Sequence, residues 1–214
     1  MSPAGERRAP APARAAGRER LGIFGGTFDP PHVGHLVTAV NVRHDLALDR
    51  VLLVVNDQPW QKLGTREITP AEDRFAMVEA AVGSVDGLEA SRVEIDRGGM
   101  SFTADTLREL LDEDPRRDLF VILGTDAAVG LPTWERADEV QKLATIVVVE
   151  RPGTREAEPP PGWSWVCVEV PRLEVSSTDL RARVAEGRPL DYLLTPEVIA
   201  TIERRGLYRS PIAG

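Results

Sequence analysis

A chain of 214 residues fits one domain, since domains run to about 100–200 residues, and is long enough to bury a sizeable core. Its 42% hydrophobic and 28% charged content is that of a globular protein, and a formal net charge of −8 argues against nucleic acid or an anionic membrane as main partner. No apolar run approaches the roughly 18–20 residues of a membrane span and no apolar stretch of a signal peptide follows the N-terminus, so a cytoplasmic location is expected.

Residues 1–20 are rich in Ala, Pro and Arg, with five Arg, two Glu and no hydrophobic periodicity, and read as a disordered tail. One domain is expected over 21–209, followed by a short tail, 210–214. Leu21-Gly22-Ile23-Phe24 reads as the first strand, followed by a glycine turn and a helix from Gly34 to Leu46. Val51–Val55 is a fully apolar second strand, as in a parallel sheet covered on both faces. Thr69-Pro70-Ala71-Glu72 predicts a helix start with a capping box and Pro at the first helical position. A strand is expected at Val93-Glu94-Ile95 and a helix from Thr103 to Leu111, where Thr106, Leu107, Leu110 and Leu111 share overlapping faces. Leu119–Leu123 and Ile146–Val149 predict buried strands separated by a helix from Trp134 to Leu143. Residues 152–162 read as an exposed loop. Val166–Val170 predicts a last strand, and Ser177–Ala185 and Pro196–Arg205 the closing helices. The one cysteine, Cys167, lies in this strand-like run; it excludes an internal disulfide, suits a reducing cytosol and reads as a packing residue. Strands alternating with helices predict an α/β domain with a mainly parallel sheet and helices on both faces.

The chemistry concentrates where the first strand runs into Gly25-Gly26-Thr27-Phe28-Asp29-Pro30-Pro31-His32-Val33-Gly34-His35. A strand, a glycine turn and a helix start make an anion-binding arrangement, because glycines admit a ligand to the backbone and the helix start offers N–H donors. The spacing of Gly22, Gly25 and Gly26 is not that of a dinucleotide fingerprint. His32 and His35, three apart, share one helix face. No cysteine, third histidine or suitably spaced acid completes a metal set, so no protein-held metal is expected and the pair reads as hydrogen-bond donors to phosphate oxygens. Near the other end, Ser176-Ser177-Thr178-Asp179 before a helix, with Arg181 one turn in, reads as a plain helix cap taken alone and as a second anion site beside the first loop.

Taken together, the Gly-Gly-Thr-Phe-Asp-Pro-x-His-x-Gly-His and Ser-Ser-Thr-x-x-Arg segments resemble the nucleotidyltransferases of the nicotinate mononucleotide adenylyltransferase family. The likeness spans Leu21 to about Tyr208. Ser101-Phe102-Thr103-Ala104-Asp105-Thr106-Leu107, Gly124-Thr125-Asp126 with Trp134, and Arg151-Pro152-Gly153 are similar to further family segments, in the family's order. Pro59-Trp60-Gln61-Lys62 departs from the family's Pro-Pro-His-Lys: Lys62 is kept, but glutamine replaces histidine. That variant resembles the actinobacterial branch.

The resemblance implies a Rossmann-like nucleotidyltransferase fold. It also implies transfer of AMP from ATP to nicotinate mononucleotide, releasing pyrophosphate, with Mg²⁺ carried mainly by the ATP phosphates. His32, His35 and Arg181 are then the catalytic set. Gly25, Gly26, Thr27, Phe28, Lys62, Gly124, Asp126, Ser177 and Thr178 serve ATP, and Phe102, Thr103, Trp134 and Arg151 the acceptor. Local readings stay open beside these: Trp134 as core, Asp126 as an N-cap, Arg151 as a surface ion pair. Nicotinamide mononucleotide or phosphopantetheine as acceptor, and a non-catalytic nucleotide sensor, are the alternative functions. Oligomeric state is not encoded in any of these patterns.

Overall fold

The computed structural model describes residues 16–58, 68–150 and 158–209. Six parallel strands, β1 (Arg20–Gly26), β2 (Arg50–Val55), β3 (Leu88–Ser91), β4 (Asp118–Gly124), β5 (Ala144–Glu150) and β6 (Trp165–Glu169), form one sheet in the order β3-β2-β1-β4-β5-β6. The helices are α1 (Val33–Asp45), α2 (Ala71–Val82), α3 (Val93–Arg97), α4 (Thr103–Glu113), α5 (Thr125–Val129), α6 (Ala137–Leu143), α7 (Ser177–Ala185) and α8 (Pro196–Arg205).

The central strands are apolar at nearly every position because both faces are covered. Along β4, Phe120 and Ile122 join a core with Val42, Met77, Val147 and Ile202, while Leu119, Val121 and Leu123 join the opposite core with Leu107, Val140 and Val148. That is the signature of a doubly wound sheet. Strand order reverses between β1 and β4, and in such sheets the crevice beyond the carboxyl ends at the reversal is where ligands bind.

The expected strand at Val93–Ile95 is instead the short helix α3; the strand is Leu88–Ser91, paired with Val51–Val54 of β2. The Val-x-Ile alternation is misleading because Glu94 between them is not solvent-facing. It is buried, its carboxylate accepting hydrogen bonds from Asn56 Nδ2 and Thr106 Oγ1, both at 2.8 Å. The start of α2 also differs: the helix begins at Ala71 with Pro70 as N-cap and no side-chain cap. Thr69 is drawn off by tertiary bonds, its carbonyl to Arg74 Nε and its hydroxyl to Tyr208. The helix expected from Trp134 begins only at Ala137, and Trp134 is extended, closing a 3-10 turn at Leu131–Thr133. Helix α5 was not foreseen. Within the described part of the loop at 158–162, Pro159 is buried rather than exposed.

At the N-terminus the folded body starts before Leu21. Arg20 belongs to β1, and Glu19 lies 2.7 Å from Arg50 Nη2 and 2.9 Å from Arg117 Nε. Residues 1–15 and 210–214 lie outside the described residues. Deleting residues 1–15 is expected to leave melting temperature and turnover unchanged, whereas deleting 1–20 should lower the melting temperature by several degrees. Scanning calorimetry on both truncations checks this; equal melting of the two would show that Glu19 and Arg20 contribute nothing.

Candidate active site

The loop from β1 to α1 packs closely against two of its glycines. A Cβ on Gly26 would lie 2.8 Å from Phe28 Cζ, and one on Gly34 would lie 3.0 Å from His32 Nδ1 and 3.1 Å from Val175 Cγ1. Phe28 takes a left-handed backbone conformation (φ 49°), costly for a bulky residue. The strain places its buried ring edge-on to His35, centroids 5.0 Å apart.

His32 is the N-cap of α1, and its ring stacks on that of His35 with centroids 3.7 Å apart. The His32 backbone N–H donates to His35 Nδ1 at 3.1 Å. A ring whose Nδ1 accepts a hydrogen bond carries its proton on Nε2, so this contact fixes His35 as a donor through Nε2. The Val33 N–H at the helix start donates to the Leu193 carbonyl at 3.1 Å, so that amide is already engaged.

The C-terminal motif is clamped onto this loop. Arg181 Nη1 donates to the Asp29 carbonyl at 2.7 Å, and Ser177 Oγ donates to the Pro30 carbonyl at 2.9 Å. Residues about 150 positions apart thus meet within three residues of His32. Ser176, not Ser177, caps α7, accepting from the Asp179 N–H; Thr178 Oγ1 accepts from Arg181 Nη2. Below the loop, Tyr208 donates to the buried Asp29 carboxylate at 2.8 Å. Burial, then Asp29, pushes the phenol pKa far up, so Tyr208 stays protonated.

Beside the loop, at the strand-order reversal, lies a cleft of about 300 Å³. It brings together Gly25, Gly26 and Thr27 from β1 and its loop, Gly124 from β4, Phe102 and Thr103 from the start of α4, and Trp134. Phe24 lines it too and contacts His35, centroids 6.0 Å apart. No acceptor for the N–H groups of Phe102 and Thr103 exists among the described residues. Trp134 is held opposite α4 by its neighbour Arg136, whose Nη2 lies 2.5 Å from Asp105 Oδ1. Asp126 is not in the cleft lining; it is exposed in the first turn of α5, whose N-cap is Gly124. Lys62 and Arg151, with Pro59-Trp60-Gln61, lie outside the described residues.

Two residues here were not anticipated. Glu94 lines the cleft wall, and its only sequence signal is an acid between Val93 and Ile95. Arg74 is almost fully buried and donates to three loop carbonyls, those of Thr27 at 2.9 Å, Asp57 at 3.1 Å and Thr69 at 2.8 Å. Arg74→Met should leave these carbonyls unsatisfied, at ~1–3 kcal/mol each before relaxation. A fall in melting temperature of about 6–12 °C is expected, with a parallel loss of turnover. Unchanged melting would show that the loops hold their shape unaided.

Among the described residues no group of three or more His, Cys, Asp or Glu side chains is placed to hold a metal ion, and no helix is long and apolar enough to cross a membrane.

The family model of cytidylyltransferase-like proteins matches residues 23–183. A protein of Corynebacterium kroppenstedtii, named a probable nicotinate-nucleotide adenylyltransferase, is 47% identical over 192 residues, covering 88% of this chain and 90% of its own. One of the same name from Streptomyces coelicolor is 46% identical over 189 residues, covering 87% of this chain and 99% of its own. Among solved structures, the Plasmodium falciparum nicotinic acid mononucleotide adenylyltransferase complexed with NaAD superposes with a TM-score of 0.73 at 17% identity, covering 89% of this chain and 98% of that one.

Proposed function

The chain belongs to the cytidylyltransferase-like family and, within it, to the nicotinate-nucleotide adenylyltransferases, and we infer that it transfers AMP from ATP to nicotinate mononucleotide. The observation that carries the reading is the clamp of Arg181 and Ser177 onto the loop of His32 and His35, beside a cleft with unengaged N–H donors.

In this reading a phosphate oxygen of the mononucleotide forms a bond to the α-phosphorus of ATP. The bond to the bridging oxygen opposite breaks in line, and pyrophosphate takes the electron pair. The attacking phosphate is already ionised near neutral pH, so no general base is needed. Positioning and charge stabilisation supply the catalysis. His35 donates through Nε2 to a phosphate oxygen, His32 stacks on it and faces the same group, and Arg181 adds a permanent cation from α7. The donors of this site, imidazole, guanidinium and amide, suit oxyanions, whereas Mg²⁺ takes oxygen ligands. Mg²⁺ therefore fits as a nucleotide-borne ion, held by the ATP phosphates that these residues bind, and supplies neutralisation of phosphate charge. Lys62, Thr27, Ser177, Thr178 and Asp126 belong to the ATP side of this proposal, and Arg151 to the acceptor side. ATP as donor makes the cytoplasm the working compartment.

Gly25 and Gly124 support the placement. A Cβ at either would meet nothing within 4 Å, and neither has a positive φ, so the protein itself does not require glycine there. Both line the cleft. Gly25→Ala is expected to raise KM for substrate at least tenfold while leaving the melting temperature within about 1 °C of wild type. A Gly25→Ala enzyme with unaltered KM would remove the ligand from that wall. The activity itself is tested by incubating the protein with ATP, Mg²⁺ and nicotinate mononucleotide, nicotinamide mononucleotide or phosphopantetheine in turn. Pyrophosphate release with the first is expected; release with none would leave the sensor reading.

A further inference from the structure

At the amino ends of β1, β4 and β5, the far end of the sheet from the catalytic cleft, a second cleft of about 430 Å³ is lined by Arg18, Arg20, Arg117 and Lys142 against one acid, Asp118. Three of these cations have carboxylate partners. Arg18 Nε lies 2.7 Å from Asp118 Oδ1, Arg117 Nε 2.9 Å from Glu19 Oε2, and Lys142 Nζ 3.6 Å from Asp138 Oδ2. Arg20 has none among the described residues. It is only 5% exposed, and its Nε and Nη2 are buried with no hydrogen-bond acceptor. The guanidinium sits 4.8 Å from the centroid of the Phe120 ring. A ring face offsets only part of the desolvation of a guanidinium, and a charge buried without a counter-ion is among the costliest features a fold can carry.

We propose that this cleft binds a small phosphate-type oxyanion that serves as the counter-ion of Arg20. Its Nε and Nη2 are enclosed, so Nη1 is the nitrogen a ligand in the cleft meets, and a tetrahedral oxyanion, with several acceptor oxygens, can meet it and a neighbouring cation together better than a halide can. Lys142, with its side chain 73% exposed at the rim and only loosely paired, is free to turn onto the same ligand. The site is separate from the adenylyl-transfer centre and does not rest on the activity inferred above. Free phosphate, free pyrophosphate and the phosphate end of a nucleotide share the required chemistry.

The test is calorimetric melting of the full chain in sodium phosphate against sodium chloride at matched ionic strength. At ten times the half-saturating concentration, phosphate should raise the melting temperature by about 3–5 °C more than chloride does. The rise should persist in His35→Ala, which weakens phosphate binding at the catalytic end, and vanish in Arg20→Met. Arg20→Met should also melt at or above wild type in phosphate-free buffer, because exchanging an unpaired buried charge for an apolar group is neutral or stabilising. Should Arg20→Met not fold, Lys142→Gln at the exposed rim should raise the half-saturating phosphate concentration at least threefold. Pyrophosphate and AMP titrated in the same way identify the source of the phosphate group. Equal effects of phosphate and chloride on wild type, a phosphate rise retained in Arg20→Met, or an unmoved midpoint in Lys142→Gln would overturn the site.

Discussion

His35→Ala is expected to lower kcat for AMP transfer by about 10²–10³-fold, corresponding to the ~3–4 kcal/mol that a preorganised donor to a developing charge supplies. In the proposed role the whole of that effect rests on one nitrogen. His35 Nδ1 is committed to the His32 backbone N–H, which leaves Nε2 as the ring's donor nitrogen. The same bond gives the variant a second, smaller phenotype. Losing it leaves a helix-start N–H without its cap, which costs about 1 kcal/mol and 2–4 °C of melting temperature. His32→Ala should show a comparable fall in kcat, since it removes the ring stacked on His35 at 3.7 Å. His35→Gln, which keeps an amide donor but not the rigid ring, should fall between wild type and alanine. Steady-state kinetics with nicotinate mononucleotide, read beside melting curves, separates the two effects. Near-normal kcat in both alanine variants would remove the histidines from the phosphate site; a collapse of the fold in both would make their role structural.

The parts of this site that were legible in the sequence are those encoded by local chemistry. The glycine turn, the two histidines on one helix face and the hydroxyl-rich start of α7 each follow from short-range rules. The run limits of Ser177–Ala185 and Pro196–Arg205 do too, because Pro196 sits at the first helical position and Thr195 accepts from the Val198 N–H. What was illegible depends on partners distant in the chain. Arg74 is one arginine in an amphipathic helix, and nothing nearby marks it as the buried brace of three loops. Glu94 stands between Val93 and Ile95 in a segment expected to be a strand, and nothing local marks it as a residue that Asn56 and Thr106 draw inward. Thr69 had the right type and spacing for a cap but is spent on Arg74 and Tyr208. Trp134 was expected inside a helix; the tertiary pair Arg136–Asp105 fixes the chain there in another conformation. Local rules fail where a side chain has a better offer from across the fold.

Nicotinate mononucleotide is expected to be preferred over nicotinamide mononucleotide by at least about tenfold in kcat/KM, and by more than a hundredfold if both carboxylate oxygens are held. The two acceptors differ in a carboxylate against a carboxamide, so shape cannot separate them. Donor count can. The N–H groups of Phe102 and Thr103 open α4 into the cleft with no acceptor among the described residues, and the helix start favours an anion. Against a carboxylate they meet only acceptors. Against an amide, one donor faces another, and a buried group left unpaired costs ~1–3 kcal/mol. Two acids of the cleft lining, exposed Glu135 and buried Glu94, pull the other way, since a carboxylate repels an anion and welcomes an amide N–H; Glu94 is the one enclosed with the acceptor. Both its oxygens already accept hydrogen bonds, from Asn56 and Thr106, which spends the capacity that an amide would use. Removing that competition, Thr106→Val and Asn56→Ala should each narrow the preference for nicotinate. Trp134→Ala should weaken both acceptors alike, because stacking on a pyridine ring does not sense its substituent. The measurement is kcat/KM for both acceptors on wild type and these three variants. Equal values on wild type would refute the nicotinate assignment, and a Trp134→Ala enzyme that lost its preference would move the selective contact from α4 to the tryptophan.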